Sequence, residues 1–440
     1  MSADSPTQVT VFAYQVGFGD CFLVRFHYPN GNRHVLIDFG SFPKPKWAEA
    51  GYMRRIAQDI QQRCSGKLDA VVVTHRHADH VSGFATDHEG PGTIIAGCDP
   101  DLVVQPWTED PDAQPDATGP AAAFLGAPAG LDDRALRRGR AFVGTLENMH
   151  RLASAIRSEA HIFARSHPGL ARELAFQGEN NLKNLSAVKN LLDMGHKPGK
   201  VARYVYYGSD CGLDQVLPGV EVQVLGPPTL EQSQSILTQV REDPDEFWHL
   251  LALAAERRDR GDGSLFPEAE MMQAERVPPS ARWLVQRVRS LRGRELLEIV
   301  RSLDKRLNNT SVILLFQVGA KRLLFSGDAQ IENWRYAMRQ PDVLEMLKGV
   351  NLYKVGHHGS LNATPKTLWR GFIHASKDED DPERLLTILS TEPGVHGAVK
   401  QNTEVPRRAL VRALKDYSHF TTTEDLAKSP GVCAEIPIEV

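Results

Sequence analysis

The sequence predicts an α/β protein in which parallel strands carry chemically active residues at their carboxyl-terminal ends. Three observations support this prediction. An apolar run from Leu68 to Val73 is typical of a buried parallel strand, both of whose faces are covered. The segment Thr74 to His80 follows directly and holds four potential metal ligands within six residues. Other apolar runs farther along the chain also end in Asp or His.

The first element with chemical content is the loop after that strand, which contains His75, His77, Asp79 and His80. His75 and His77 are two residues apart, so on extended backbone they project to the same side. Neutral imidazole suits zinc, and an interleaved carboxylate extends the ligand set to manganese or iron. A surface loop that happens to be rich in histidine is the alternative. The ligand spacing favours a dinuclear metal site.

One predicted strand before this loop and two predicted strands after it supply the ligands that one loop cannot provide alone. The run from Lys321 to Asp328 ends in Gly-Asp, which places the carboxylate of Asp328 at a strand end. The run from Leu352 to Ser360 ends in the pair His357 and His358, and the run from His34 to Gly40 delivers Asp38. Chance would scatter such residues along strands and helices alike, so the pattern indicates one shared site.

These residues resemble the metallo-β-lactamase fold superfamily, whose His-x-His-x-Asp-His motif is intact here as His75 to His80. Within it, the chain is most similar to the branch that contains the hydrolase domain of the bacterial DNA-uptake channel protein, the competence-type nuclease domain. The matching blocks cover roughly half of the chain, about residues 8–108, 215–230 and 303–420. They are Val16 to Val24 for that branch's VGQGD, Leu36 to Gly40 for LIDxG, Asn308 to Ser311 for NNxS and Lys354 to Ser360 for KVxHHGS.

The resemblance implies an αββα sandwich with two mixed sheets packed face to face and a metal site along one edge. The composition of the segments outside the matching blocks predicts two largely helical insertions. Residues 1–108 would form the first half of the sandwich and residues 304–440 the second half, with further sandwich strands in 201–228. Residues 109–200 would be a Pro/Ala-rich excursion followed by a helical insertion, and residues 229–303 a second helical insertion.

The resemblance also implies ligands for two divalent metal ions, for which zinc or manganese is our preference. His75 and His77 would bind the first ion with one member of the histidine pair. Asp79 and His80 would bind the second ion, and Asp328 would bridge both. Only the geometry of the turn decides between His357 and His358, and we favour His357.

Other residues are expected to support these ligands or the chemistry. Asp38 would accept a hydrogen bond from an imidazole and fix its tautomer. Asp328 would orient the attacking water, with Asp79 beside it. Lys354, Ser360 and the unligated histidine are candidates to assist the leaving group.

The chain departs from most of the superfamily because it lacks a convincing histidine midway between the first motif and Asp328. His150, His161, His167 and His196 lie in helical-looking sequence, and His88 has the better context. The competence-type branch also tends to lack this histidine. Asn309 or Asp20 could fill the gap, or the position could stay open to water or a substrate oxygen.

Composition sets limits on partners and location. Hydrophobic residues make up 41% and charged residues 24%, with a formal net charge of −4, as in an ordinary globular protein. The amino terminus has no signal-like segment and no run reaches the ~18 apolar residues of a membrane span, so we expect no membrane partner. Five cysteines without a CxxC motif fit reduced thiols and a cytoplasmic location. We expect Cys21 and Cys98 to be buried.

The second insertion carries six arginines between 282 and 301, which form either a solvated helix face or a track for nucleic-acid phosphates. We favour the solvated face. Both insertions could instead contact a protein partner.

Three functions follow from this sequence. The leading one is a dinuclear metal-dependent phosphodiesterase, a nuclease for DNA or RNA in a defence or DNA-processing pathway, in which the two ions activate water. The second is a hydrolase of a small substrate such as a phosphocholine ester, a cyclic nucleotide or a lactone, with the helical insertions as a lid. The third is a partner-dependent effector subunit that stays silent until a second protein binds the insertions.

Overall fold

The computed structural model describes residues 5–113, 117–121, 185–233, 236, 307–360, 362–395, 404–428 and 431–440. In this part of the chain two β-sheets pack face to face, and helices cover the outer face of each sheet. The predicted α/β sandwich is therefore confirmed.

The first sheet, sheet A, has the strand order β13-β1-β2-β3-β4-β5-β6 among the described residues. Its β1, β2, β3 and β13 pair antiparallel, whereas β3 to β6 pair parallel. The last strand thus returns to the sheet of the first strands. Its strands are β1 (Gln8–Tyr14), β2 (Cys21–Tyr28), β3 (Gly31–Phe39), β4 (Ala70–Val72), β5 (Leu102–Pro106), β6 (Val201–Val205) and β13 (Cys433–Glu439).

The second sheet, sheet B, has the order β12-β11-β10-β9-β8-β7. Its strands β9 to β12 pair parallel, and β7, β8 and β9 pair antiparallel. The strands are β7 (Val220–Gly226), β8 (Ile313–Val318), β9 (Lys321–Phe325), β10 (Leu352–Lys354), β11 (Leu386–Leu389) and β12 (His419–Thr422).

Helices lie on both outer faces. Those associated with sheet A are α1 (Tyr52–Arg63), α2 (Ala78–Val81), α3 (Pro91–Gly97) and α4 (Leu185–His196). The short helix α5 (Leu213–Val216) instead contacts β7 and packs against the cluster between the sheets. Those associated with sheet B are α6 (Ile331–Ala337), α7 (Pro341–Lys348), α8 (Lys366–Gly371) and α9 (Arg408–Tyr417). Short 3₁₀ turns occupy Ser82–Phe84, Trp107–Glu109, His357–Gly359 and Thr423–Lys428.

Three apolar clusters correspond to the layers of the sandwich. The central cluster joins the inner faces of the two sheets through residues such as Phe22 of β2 and Phe325 of β9, whose ring centroids are 6.0 Å apart. A second cluster packs α1, α3 and α4 on sheet A, and a third packs α6 to α9 on sheet B. Burial of these apolar faces is the main force that holds the layers together.

The structure agrees with several local predictions. β6 and β7 lie in the region where the sandwich was expected to resume, and Cys21 and Cys98 are fully buried as predicted. Among the described residues, no helix combines the length and the apolar character that crossing a bilayer requires. Most of both predicted insertions, including the arginines between 282 and 301, lies outside the described residues, so the domain boundaries remain predictions.

Candidate metal centre

The candidate site forms where parallel strands of the two sheets end. β3 and β4 are neighbours in sheet A, and β9 and β10 are neighbours in sheet B. Asp38 lies at the carboxyl-terminal end of β3 itself, and the loops after β4, β9 and β10 carry the His75 to His80 motif, Asp328 and the His357–His358 pair. The structure therefore brings together the four segments that the sequence predicted to share one site.

Glycines allow the loop backbones to approach each other closely. An added Cβ on Gly40 would lie 2.3 Å from the backbone nitrogen of His80, and one on Gly19 would lie 2.7 Å from the carbonyl oxygen of Asp79. Gly327 has a left-handed conformation with φ +49°, and a Cβ added there would lie 2.7 Å from the Thr74 side chain. Since backbone atoms leave no room for a side chain there, these glycines fix the distances between the ligand-bearing loops.

Asp328 lies at the centre of the buried side chains. Its Oδ2 is 3.2 Å from Nε2 of His80, 3.5 Å from Nε2 of His358 and 3.7 Å from Nε2 of His357. Asp79 completes the group, because its Oδ2 is 3.1 Å from Nε2 of His358. One ligand atom from each of Asp79, His80, Asp328 and His358 lies within 4.8 Å of the others.

The turn at His357 and His358 places the two imidazoles differently. Both residues have left-handed φ angles, 43° and 50°, and Gly359 continues the turn with φ 81°. His358 is fully buried, donates from Nδ1 to the Ser390 carbonyl oxygen at 3.0 Å, and packs its ring 4.2 Å from that of Phe18. His357 is partly exposed, and its Nε2 lies 3.5 Å from Nδ2 of Asn308. The geometry thus favours His358 as the ligand, against our preference for His357.

His75 and His77 lie beside this group. Nε2 of His75 is 2.9 Å from Nδ1 of His77, and the His75 ring centroid is 4.2 Å from that of His80. Burial and the neighbouring imidazoles of His80 and His77 lower the pKa of His75 well below its ordinary value. A neutral imidazole is the form that binds metal.

A comparison with protein families agrees with a metal-binding role for this cluster. Residues 14–116 match the model described as the metallo-beta-lactamase superfamily, a segment that spans the His75 to His80 motif. This segment is similar to the metallo-beta-lactamase superfamily and covers less than half of the chain. This superfamily consists largely of metal-dependent hydrolases, so the match supports a hydrolase. No curated protein matches the chain in a sequence search.

The buried side chains of the candidate site fit divalent metal ions. Oδ1 of Asp79 is buried and has no hydrogen-bond partner among the described residues. Burial alone would raise the pKa of Asp328, but the imidazoles of His80 and His358 outweigh it and hold the pKa well below the ordinary value. Burial likewise opposes charge on His80, yet Asp328 and Asp38 raise its pKa well above the ordinary value. This cluster of carboxylates attracts positive charge, and its oxygen and nitrogen donors suit zinc or manganese.

Asp38 supports the site from behind, as expected. Its Oδ2 lies 2.8 Å from Nδ1 of His80, so the second ring nitrogen, Nε2, points toward Asp328. Thr74 donates two hydrogen bonds of 2.7 Å to Asp38, one from its backbone N–H and one from its hydroxyl. These bonds hold the carboxylate in place and thereby orient the imidazole.

Lys354 and Asp20 form a buried ion pair next to the cluster. Nζ of Lys354 also donates to the Gly327 carbonyl oxygen at 3.1 Å and lies 3.8 Å from Oδ1 of Asp328. Burial alone would lower the pKa of Lys354, but Asp20 and Asp328 raise it above its ordinary value. A lysine held protonated in this way is suited to stabilise negative charge and poorly suited to donate its proton to a leaving group. The proposed role in leaving-group protonation therefore has no support from its contacts.

The remaining predicted site residues lie farther from the cluster. Asn309 is buried and donates to Oε2 of Glu332 at 3.3 Å, while its neighbour Asn308 reaches His357. The Ser360 hydroxyl donates to Oδ1 of Asn362 at 3.3 Å, and no contact between this side chain and the metal cluster is found in the described chain.

Of the other histidines, His88 and His196 are exposed, and His196 bonds to the Leu192 carbonyl oxygen of its own helix. His150, His161 and His167 lie outside the described residues.

Several residues that position the site were not predicted. Thr74, Phe18 and Ser390 contact the candidate ligands or their supports, as described above, and the Ser311 hydroxyl accepts a 3.3 Å hydrogen bond from the Asp328 backbone N–H. Thr74, Phe18 and Ser311 lie within the quoted sequence blocks, which was the available signal. Ser390 follows β11 and has no sequence pattern that connects it to a histidine.

Proposed function

We propose that this protein is a dinuclear metal-dependent phosphodiesterase, and specifically a nuclease of the competence-type branch that cleaves DNA or RNA. The observation that carries the proposal is the position of Asp328 between the imidazoles of both sheets, within 3.2 to 3.7 Å of His80, His358 and His357. A carboxylate in that position can contact two ions at once, as a bridging ligand must.

The donor groups include two contacting pairs. His75 and His77 form one pair, and His358 and Asp79 form the other. His80 lies beside His75, and Asp328 lies beside both His80 and His358. Divalent ions held by these residues would lower the pKa of water and offset the charge of a phosphodiester. Zinc and manganese both suit this mixture of imidazole and carboxylate donors.

The other residues of the chain contribute orientation and charge. Asp38 orients His80, and the Ser390 carbonyl oxygen orients His358. The buried ammonium of Lys354 adds a positive charge near Asp328, which favours an anionic substrate over a neutral one such as a lactone. Partly exposed His357 is a candidate to move a proton at the edge of the site.

The test compares the full-length protein with His77→Ala and with His196→Ala, which removes an exposed histidine on α4. Each protein is assayed with circular and linear DNA, RNA and small phosphodiesters in Mn²⁺, Zn²⁺ and Mg²⁺, and its bound metal is measured by mass spectrometry. Loss of polymer cleavage and of metal in His77→Ala alone is the expected result. Turnover of small esters only would establish the small-substrate hydrolase. Full metal content without any turnover would indicate the partner-dependent subunit.

A further inference from the structure

A cationic row occupies the exposed face of α9. Arg408, Arg412 and Lys415 are spaced i, i+4 and i+7, which places them on one side of the helix over about 10 Å of its length. All three side chains are exposed, and none forms an ion pair with another described residue. The opposite side of α9 carries Leu410 and Leu414, which pack on the core of sheet B, and Val411 lies between that side and the cationic row.

The same helix forms one wall of a cavity of ≈ 480 Å³, which we call the α9 groove. Apolar atoms contribute most of its lining surface, and the cationic row lies along its rim. Two acidic residues also line the groove: Glu404, which pairs with Arg407 at 3.1 Å, and Asp416, which follows Lys415 in α9. The lining residues are Pro393, Gly394, Glu404, Val405, Pro406, Arg408, Val411, Arg412, Lys415 and Asp416.

Both walls of the α9 groove are joined to the candidate metal centre. On one side, the backbone N–H of Arg407 donates to the Gly359 carbonyl oxygen at 2.9 Å, directly after His358. Pro406 packs closely on Gly359, because a Cβ added to Gly359 would lie 2.8 Å from Cβ of Pro406. On the other side, Pro393 lies three residues after Ser390, whose carbonyl oxygen contacts His358. The groove therefore continues from the histidine turn.

We propose that the α9 groove binds the sugar-phosphate backbone of a polynucleotide strand and leads it to the metal centre. This inference rests on the proposed nuclease function and names the surface that function uses. Three unpaired cations in a row suit a repeating anion, and the apolar floor suits sugars or base faces. Because no aromatic side chain is found among the described residues that line the groove, the bound strand is expected to be selected by charge and not by base sequence.

The test uses two matched sets of three substitutions in the full-length chain. The first is Arg408→Gln, Arg412→Gln and Lys415→Gln, which removes the row and keeps helix propensity nearly unchanged. The control is Lys67→Gln, Lys197→Gln and Lys348→Gln, three partly exposed lysines that precede β4, β6 and β10 at the opposite end of those strands. Both sets change the net charge equally.

Binding of a fluorescent single-stranded oligonucleotide is measured against salt concentration, with every protein also carrying His77→Ala so that the strand stays intact. Loss of three phosphate contacts should reduce the slope of log K against log salt by about 2, since each contact contributes about 0.7 on single strands. In the proteins without His77→Ala, turnover of a polynucleotide relative to a small phosphodiester should fall at least tenfold for the first set and stay constant for the control set.

The outcomes separate this inference from the proposed function. Equal salt slopes and equal polymer-to-ester ratios for the two sets would overturn the α9 groove while leaving the nuclease intact. Failure of the unsubstituted protein to bind or cleave any polynucleotide would overturn the nuclease itself, and the groove with it.

Discussion

The two ends of the parallel strands treat charged side chains in opposite ways. At the carboxyl-terminal ends, Asp20, Asp328, Lys354 and His80 have at most 2% of their side chains exposed. At the amino-terminal ends, Lys67 and its partner Asp101 form a 2.6 Å ion pair with 45% and 42% exposed, beside Asp99 and Lys200. Asp69, which precedes β4, is buried at this end, but its partner Arg33 is 51% exposed. Ion pairs are thus buried on both sides at one end, whereas at the other end at least one member of each of these pairs is hydrated.

We interpret the buried charged side chains at the carboxyl-terminal ends as functional, and the hydrated ones at the amino-terminal ends as ordinary surface residues. Burying an ionised group opposes folding unless other charges compensate, whereas an exposed ion pair contributes little in either direction. The buried set also contains four carboxylates, Asp20, Asp38, Asp79 and Asp328, against Lys354 and the imidazoles of His80 and His358, whose pKa values the carboxylates raise against the effect of burial, so that negative charge is still in excess. Such an imbalance is costly without a bound cation and useful with one.

Backbone conformation does not make this distinction. Left-handed residues occur at the functional end, in Asp38 and His358, but also at the other end, in Ser65 and Asp99. Burial of charge, and not unusual φ angles, therefore marks the site in this fold.

The largest predicted effect comes from removing the central carboxylate. Asp328→Ala should lower turnover of a small phosphodiester by about 10³-fold or more, because this carboxylate lies beside both His80 and His358. Bound metal, measured by mass spectrometry on the purified protein, should fall with it. Asp101→Ala removes a carboxylate at the opposite end and should leave both quantities near those of the native protein. Comparable losses in the two variants would remove the distinction between the strand ends.

The next largest effect should come from a single methyl group. Gly40→Ala would place Cβ 2.3 Å from backbone atoms of both Asp79 and His80, so the loop that carries these ligands must move. We expect a loss of roughly 1–3 kcal/mol in stability and weaker metal binding, measured by thermal unfolding with and without chelator. Gly97→Ala, in α3, has open space around the new atom and should be neutral or slightly stabilising. Normal metal affinity in Gly40→Ala would contradict the close-packed loops.

The sequence predicted much of this site because its ligands follow strands in short local motifs. Each apolar run predicted a strand. The carboxyl-terminal ends of these strands then predicted where Asp38, His75 and Asp328 would lie. The choice between His357 and His358 could not be predicted in this way, since it depends on two consecutive left-handed residues packed against Phe18.

Long-range pairings were equally hidden from the sequence. The ion pair between Lys354 and Asp20 connects β10 of one sheet with the loop before β2 of the other, so it exists only once the sandwich has formed. The pairing of β13 with β1 is another example, because it joins the two ends of the chain. Neither contact has a local pattern, so the partners of Lys354 could not be predicted, and its role in assisting the leaving group stays a prediction.

A smaller effect is expected from the residue behind the ligands. Asp38→Asn keeps the size of the side chain but loses the charge that holds Nδ1 of His80, at 2.8 Å, in its orientation. Metal affinity or turnover should fall by about 10- to 100-fold. Isothermal titration of the metal-free protein with Zn²⁺ measures the affinity directly. Asp101→Asn is the control, and an affinity unchanged in both variants would show that Thr74 and packing alone orient the imidazole.

The smallest effect is expected at the amino-terminal ends, where Lys67→Gln breaks the exposed pair with Asp101. The pair is short, but solvent screens both charges, so its net contribution should not exceed about 1 kcal/mol. We expect the midpoint of thermal unfolding to change by no more than about 3 °C, and the change to shrink further in high salt. Metal content should not change, since Lys67 lies at the opposite end of the parallel strands from the candidate ligands. A larger shift, or one that persists in high salt, would mean that hydrated charges also stabilise this fold, and burial would no longer be the property that separates the two ends.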